Sequence, residues 1–453
     1  MDKNNGAIYD ARKLGKPKMI ILGVQHMFAM FGATILVPIL TGLDISTTLL
    51  MAGLGTLLFH CITKFKVPAF LGSSFAFLGG YAAIKAFSPN DPNSMLPYAC
   101  LGVACAGLIY FILAAVIKAV GVEKVMRFFP PVVTGPIIIA IGLGLAPSAV
   151  SNCTTNWFLA VVALAVIVVF NIWGKGMAKI IPIILGLLIS YGTGLVLYFI
   201  SQANPDLIQN VPWLFSGGAD ANGVYQPIFD FTSLNTICDN ISKGHIFGSE
   251  GLIGIPIHWD KTVFGGIDYS NGALIASSII AIVPIAFATM MEHIGDICAI
   301  SSTTGNNYIK DPGLHRTLVG DGLATTLASL FGGPANTTYG ENTGVLALTR
   351  VYDPRVIRIA AYFAVAVSFF PIVSVIIGSI PSCIIGGISF VLYGMISAIG
   401  VRNVVENKVD FTKSRNLIVA AVILVCALGL SSDTVSFTIG SAAITLSPLA
   451  VAS

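Results

Sequence analysis

Eleven apolar runs, near residues 19–41, 46–63, 96–119, 131–150, 157–173, 180–200, 272–291, 317–332, 356–378, 384–399 and 416–430, follow one another with few charges inside them. Each comes close to the roughly 20 residues that a helix needs to cross a bilayer core. Lipid offers no partner to backbone N–H and C=O groups, so runs of this kind must close their own hydrogen bonds as helices. Composition agrees: 55% of the 453 residues are hydrophobic and only 10% charged, at a mean hydropathy of +0.86 that excludes a soluble domain of this size. The chain reads as an all-α polytopic membrane protein. Its first run is too long for the core of a signal peptide and no small-residue cleavage site closes it, so it is expected to stay as a helix.

Threading the runs alternately through a cytoplasmic membrane, N-terminus inside, leaves all but Lys85, Lys243 and Lys261 of the 24 Lys and Arg on the cytoplasmic side. This is the pattern that the positive-inside rule demands. It holds only if two short segments, near 72–87 and 336–350, each count as a crossing. With a shortened last helix beginning near Thr438, fourteen spans result. The same topology accounts for the net charge of +3, which therefore implies no nucleic-acid partner. Six of the cysteines lie in or beside apolar runs, and no CxxC, HExxH or His-rich spacing points to a metal. Cys153 and Cys238 fall in expected outside loops, where a pairing is conceivable on sequence grounds.

The two short segments follow the same order of events: a helix with a polar–His pair, another helix, then a small-residue break. In the first half these are Gln25–His26 and GSSFAFLGG (72–80); in the second, Glu292–His293 and GPANTTYGEN (333–342). Gln25 to Ser73 spans 48 residues and Glu292 to Thr337 spans 45. Such spacing predicts two seven-span repeats. An odd number of crossings makes the second copy inverted, and the two are joined by the polar loop of about 201–271. In folds of that kind the broken helices meet near the midplane and line a cavity, and here Ser73–Ala76 is expected to pair as a short antiparallel strand with Asn336–Tyr339. Glu292 and Glu341 lie inside this region. Carboxylates at bilayer depth mark a substrate or proton path, because they are tolerated only beside a cavity, a partner or an exchangeable proton.

QHMFAMFGATILVPIL (25–40), VPAFLGSSFAF (67–77), MEHIGD (291–296), KDPGLHR (310–316) and NTTYGENTGVLALTRVY (336–352) together resemble the nucleobase-ascorbate transporter family, and within it the bacterial carriers of uracil. The resemblance covers nearly the whole chain, and Glu341 to Arg350 (ENxGxxxxTR) is its specific signature. It implies a core domain made of residues 1–128 and 272–379 moving against a gate domain made of 129–201 and 380–453, with 202–271 as an outside loop. It also implies proton-coupled uptake, a homodimer, and a uracil site formed by Glu292, Glu341, Phe75, Gly340, Tyr339 and Ala33. Glu in place of Gln at 341 favours uracil over xanthine or urate, so a purine permease of the same family is the alternative.

Uracil is planar and neutral, with two N–H donors and two carbonyl acceptors. Glu292 and Glu341 can accept from the donors, while the N–H groups of Phe75 and of the Tyr339–Gly340 turn can serve the carbonyls. Asn342 and Thr343 are expected to cap the half-helix after Gly340, Arg350 to act as a cytoplasmic anchor, and His26 and His293 to bond between helices. Coupling needs a group that titrates as access alternates. Glu292 and Asp296 share a helix face at i and i+4, so Glu292, Asp296 and Glu341 are the candidates, although the family resemblance puts a His at the position of Asp296. An anion transporter on this architecture is disfavoured by two carboxylates at the break. A membrane enzyme lacks a nucleophile, metal or diphosphate motif, and no cofactor beyond the proton gradient is expected.

Overall fold

The structure, a computed structural model, describes residues 7–125, 127, 130–429, 435–439 and 442–446; for residues 177, 180, 341, 435–439 and 442–446 it describes the backbone alone. It is mostly helical. In chain order the elements are α1 (Lys16–Thr41), α2 (Ile45–Ile62), β1 (Leu71–Ser73), α3 (Leu78–Lys85), α4 (Leu96–Val120), α5 (Pro131–Cys153), α6 (Trp157–Trp173), α7 (Pro182–Ala203), α8 (Gly272–Ile282), α9 (Ile285–Thr304), α10 (Leu314–Leu330), β2 (Asn336–Thr338), α11 (Gly340–Thr349), α12 (Pro354–Ser368), α13 (Pro371–Gly378), α14 (Ser382–Glu406), α15 (Ser414–Gly429), β3 (Val435–Ile439) and β4 (Ala442–Leu446). Among the described residues seven helices, one of them the run α8–α9, are long and apolar enough to cross a membrane, or eight if α12 and α13 form one bent span. The apolar stretch 356–378 divides because Pro371 brings no N–H and holds Phe370 extended.

Helix ends follow local chemistry. The α1 helix has Pro17 in its first turn and stops at Gly42, whose φ of 85° admits no ordinary side chain and whose N–H bonds Pro38 O at 2.8 Å. At the start of α2, Asp44 accepts from Thr47 N at 2.7 Å, and at α12 Asp353 accepts from Arg355 N at 2.9 Å.

The chain divides into two compact units. One comprises Met1–Ile141, Pro256–Phe369 and Ser397–Ser453; the other comprises Gly142–Ile255 and Phe370–Ile396. In the second unit Asn156 caps α6, accepting from Leu159 N at 3.1 Å and donating to Ser216 O at 2.9 Å. The long polar loop is tied to α7 by aromatic contacts: Phe229 meets Tyr191 at 4.8 Å between ring centroids and stacks on Phe231 at 5.2 Å. Cys153 is buried and Cys238 exposed, and both are free, so the pairing considered from sequence does not form.

The first unit holds the broken segments. Its helices α4 and α10 meet backbone to backbone, because a Cβ on Gly107 would lie 2.7 Å from Gly322 O and one on Gly322 would lie 2.5 Å from Tyr110 Cβ. The N-terminal segment straps the chain after α11: Ile8 N donates to Arg350 O and Tyr352 N to Ile8 O, both at 2.8 Å, while Ala11 N donates to Asp353 Oδ2 at 2.7 Å. Arg355 Nη1 reaches Asp10 Oδ1 at 3.0 Å. The hydrogen bond from Arg12 holds the Asp10 carboxyl down at about 2, with Arg355 adding to the effect.

One expectation is overturned at the C-terminal end. Instead of a helix from near Thr438, β3 and β4 pair antiparallel with Thr438 opposite Ala443. The reason is legible in the residues: VSFTI and AAITL are rich in β-branched and aromatic side chains with polar alternation.

Gly322→Val is expected to lower the melting temperature in detergent, since overpacking of this kind costs about 1–3 kcal/mol; an unchanged melt would mean that α4 and α10 do not pack so closely. Because the folded state depresses the Asp10 pKa, the stability it contributes is present above the ordinary carboxylate range and is lost only as pH falls toward about 2. Asp10→Asn should therefore leave unchanged the shape of the melting-temperature curve between about pH 5 and about pH 8.

Candidate functional site

The site is built on a two-stranded crossing. β1 and β2 run antiparallel with Leu71 opposite Thr338, Gly72 opposite Thr337 and Ser73 opposite Asn336, and all six residues are buried. The first strand thus lies two residues earlier than the expected Ser73–Ala76. Beyond Ser73 the chain turns: Ser74 N bonds Ala335 O at 2.9 Å, and Phe75 O already accepts from Leu78 N at the start of α3.

Extended backbone at this depth needs partners, and the surrounding helices supply them. Thr56 Oγ1 of α2 accepts from Leu71 N at 2.9 Å, and Ser73 Oγ donates to Thr34 O of α1 at 3.0 Å. From the other strand, Asn336 Nδ2 donates to Met51 O at 2.7 Å and Asn336 O accepts from Thr325 Oγ1 of α10 at 2.6 Å. Tyr339 closes the arrangement, donating from its hydroxyl to Ser73 O at 2.9 Å while Thr34 Oγ1 lies 3.3 Å away. Its ring occupies the space over Gly72, where a Cβ would come within 2.5 Å. Its N–H is spent on Phe70 O at 3.0 Å, so it does not serve as the free donor expected from sequence.

The acids lie beside this crossing. On α9, Glu292 and Asp296 are half-buried while His293 between them is fully buried. Gly295, on the same helix, is exposed with open space where a side chain would stand, and Gly344 on α11 is similarly open. Gly340 begins α11 facing Asp296, whose Oδ1 would be 3.4 Å from a Cβ there. Glu341 follows in the first turn of α11, and its side chain lies outside the described atoms. Phe75 and Ala33 are buried, Ala33 directly before the Thr34 that bonds Ser73 and Tyr339. The geometry therefore brings Asp296 and Gly340 together, and Tyr339 to the Ala33–Thr34 turn of α1.

Thr338 joins these parts from β2. Its hydroxyl donates to Asp296 Oδ2 at 3.0 Å and lies 3.3 Å from His293 Nδ1, which in turn stands 3.4 Å from Asp321 Oδ2 of α10. Sequence reasoning passed over Asp321 and the Thr338 hydroxyl. The signal for Asp321 was present: it is an acid in the middle of the apolar run 317–332.

Some expected roles change. His293 makes interhelical contacts, but neither ring nitrogen of His26 has a hydrogen-bond partner among the described residues. Asn342 and Thr343 do not cap α11, which starts at Gly340 with Tyr339 as N-cap; both fall inside its first turn with buried side-chain atoms lacking partners among the described residues. Arg350 ends α11 in the left-handed conformation, φ 53°, its carbonyl holding the N-terminal strap. Among the described residues no His, Cys, Asp and Glu cluster could hold a metal ion. The arrangement offers hydrogen-bond acceptors on half-buried carboxylates and first-turn N–H groups at α11, beside open space.

Residues 17–435 match the model of a permease family. The uracil permease of Bacillus caldolyticus is 38% identical over 421 residues, covering 90% of this chain and 85% of that protein. The uracil permease of Bacillus subtilis (strain 168) is 38% identical over 423 residues, with the same coverage of 90% and 85%. Among solved structures, the transmembrane domain of a cyanobacterium bicarbonate transporter, BicA, is similar with a TM-score of 0.62 at 12% identity, covering 94% of this chain and 98% of that one. At that identity the likeness shows the fold alone.

Tyr339→Phe removes the hydroxyl that serves Ser73 O and leaves a buried carbonyl short of a partner, a loss of about 1–3 kcal/mol. A lower melting temperature is expected, and a melt equal to that of the unaltered protein would show that the hydroxyl does not tie the two breaks together.

Proposed function

Because the chain belongs to this permease family, the nucleobase-ascorbate transporters, we propose that it takes up uracil across the cytoplasmic membrane by proton-coupled alternating access. The observation that carries the reading is the half-buried pair Glu292 and Asp296 on α9, with Asp296 facing Gly340 and open space at Gly295 between them. The named relatives supply the substrate: both are uracil permeases covered over most of their length.

In this reading Glu292 and Glu341 accept from the two uracil N–H groups, and the N–H groups of Phe75 and Gly340 donate to its carbonyls. Ala33 and Tyr339 wall the ring. A carboxylate desolvated beside another acid takes up a proton more readily, so Glu292, Asp296 and Glu341 are the groups proposed to load the coupling proton. Two inverted repeats that each carry one broken segment, a core domain moving against a gate domain, a cytoplasmic N-terminus and a homodimer complete the proposal; the fourteenth span expected from near Thr438 is not part of it. It draws support from the distribution of Lys and Arg, from the two breaks that pair, and from the family match. The fold shared with a bicarbonate transporter raises anion transport as a second reading, but two acids at the site would repel an anion.

The test is uptake of radiolabelled uracil into proteoliposomes with and without an inward proton gradient. Gradient-stimulated uptake, unaffected by excess xanthine and reduced about a hundredfold in Glu292→Gln or Glu341→Gln, is the expected result. Competition by xanthine would transfer the assignment to purines, and bicarbonate uptake without uracil uptake would favour the anion reading. Asp296→Asn should flatten the pH dependence of uptake while uracil exchange persists.

A further inference from the structure

We propose that Thr338 is a positioning residue whose hydroxyl links Asp296 to the buried His293–Asp321 pair, so that one proton taken up at Asp296 neutralises all three groups. The inference deepens the proposed function and rests on its reading of Asp296 as a coupling acid.

The geometry is a chain of short steps between four side chains. Thr338 Oγ1 donates to Asp296 Oδ2 at 3.0 Å and stands 3.3 Å from His293 Nδ1. His293 Nδ1 stands 3.4 Å from Asp321 Oδ2, with neither of those side chains exposed at all, and the Thr338 backbone N–H faces the same Asp321 carboxylate. Thr338 is held in place by its strand, since Tyr339 N bonds Phe70 O and Thr338 lies opposite Leu71. Its hydroxyl is therefore a rotor between two fixed neighbours, not a mobile surface group.

A threonine hydroxyl has one proton to give and two lone pairs to offer. While Asp296 is ionised it only accepts, so the hydroxyl proton points to it, and a proton on His293 Nδ1 lies between Thr338 Oγ1 and Asp321 Oδ2. When Asp296 binds a proton, its own O–H donates to Thr338 Oγ1. The hydroxyl proton then turns to His293 Nδ1, which accepts it only after passing its proton to Asp321 Oδ2. One proton enters and none leaves. Two carboxylates become acids, and the imidazolium becomes a neutral imidazole with its remaining proton on Nε2, an atom with no competing partner among the described residues. Three charges in a water-poor core are costly to carry through a conformational change, and three neutral groups are not. That difference is what would let a proton license movement.

The surrounding titratable groups are accounted for from each packed element. On α9 these are Glu292 and Cys298; on α11, Glu341; on α1, His26, which has no hydrogen-bond partner among the described residues. On α2, His60 Nε2 is engaged with Ala69 O at 2.9 Å, and on α4 the Tyr110 hydroxyl donates to Thr289 Oγ1 at 2.7 Å. Tyr339 is turned to Ser73 O. Of the described hydroxyls, that of Thr338 is within reach of both Asp296 and His293.

The experiment compares Thr338→Val, which keeps the volume and removes the hydroxyl, with Thr338→Ser, which keeps it, and uses Asp296→Asn as reference. Gradient-driven uracil accumulation and uracil exchange are measured in proteoliposomes between about pH 5.5 and about pH 8. Thr338→Val is expected to lose about tenfold or more of the accumulation and to flatten the pH profile as Asp296→Asn does, with exchange retained and with Thr338→Ser restoring both. A Thr338→Val protein that keeps the original profile while Asp296→Asn loses it overturns the link and leaves the coupling role of Asp296 standing. If both keep the profile, the coupling role falls as well. Should the valine variant not fold, Thr338→Cys, a weak donor of similar size, is judged by the same outcomes.

Discussion

Six residues of extended backbone, Leu71–Ser73 and Asn336–Thr338, lie buried inside a helical membrane protein, and their hydrogen bonds must be met by protein. The remainder of the first unit is arranged around that requirement. Thr56 and Met51 of α2, Thr34 of α1 and Thr325 of α10 supply those bonds, one at Leu71 and three at the Ser73–Asn336 end. The crossing therefore locates these helices relative to each other, and a stretch that resembles a loop by composition becomes a rigid centre.

That rigidity gives chemistry to the residues that follow the strands. Thr338 is the last residue of β2, and Gly340 starts α11 two residues later, so the strand register places a hydroxyl against Asp296 and a helix start facing it. Next to Gly322, where α4 and α10 meet closely at Gly107, stands Asp321, 3.4 Å from His293 Nδ1. The half-buried state of Glu292 and Asp296 is the complementary feature: a fully buried acid has no access to a substrate, and a fully exposed one has no reason to change its proton affinity.

Much of this was legible in the residues. Glu292, Glu341 and Asp296 stood out because charge in an apolar run is costly, and the two breaks because Gly, Pro, Ser and Thr interrupt helical periodicity at similar distances from a polar–His pair. The first strand lies at Leu71–Ser73 and not at Ser73–Ala76, two stretches of similar local propensity, and at the observed position the Tyr339 ring covers Gly72, a long-range contact that local propensity does not encode. Asp321 stands alone among Gly, Ala and Thr with no motif around it, so only its depth in an apolar run marks it in the sequence. At the other end, VSFTI and AAITL are apolar enough to resemble part of a span, but their β-branched, alternating pattern forms the β3–β4 pair instead.

By itself the sequence determined that the chain enters a membrane as helices, that two of its segments break, and that carboxylates lie near those breaks. Hydrophobic continuity, proline and glycine chemistry and the cost of buried charge are local properties, and they can be read residue by residue. Which side chains meet was decided by the tertiary structure alone. Thr338, His293 and Asp321 come from three elements, and Tyr339 reaches Ser73 across 266 residues of chain. Those distances depend on how closely α4 and α10 approach and on the register of β1 with β2, and no local propensity encodes either.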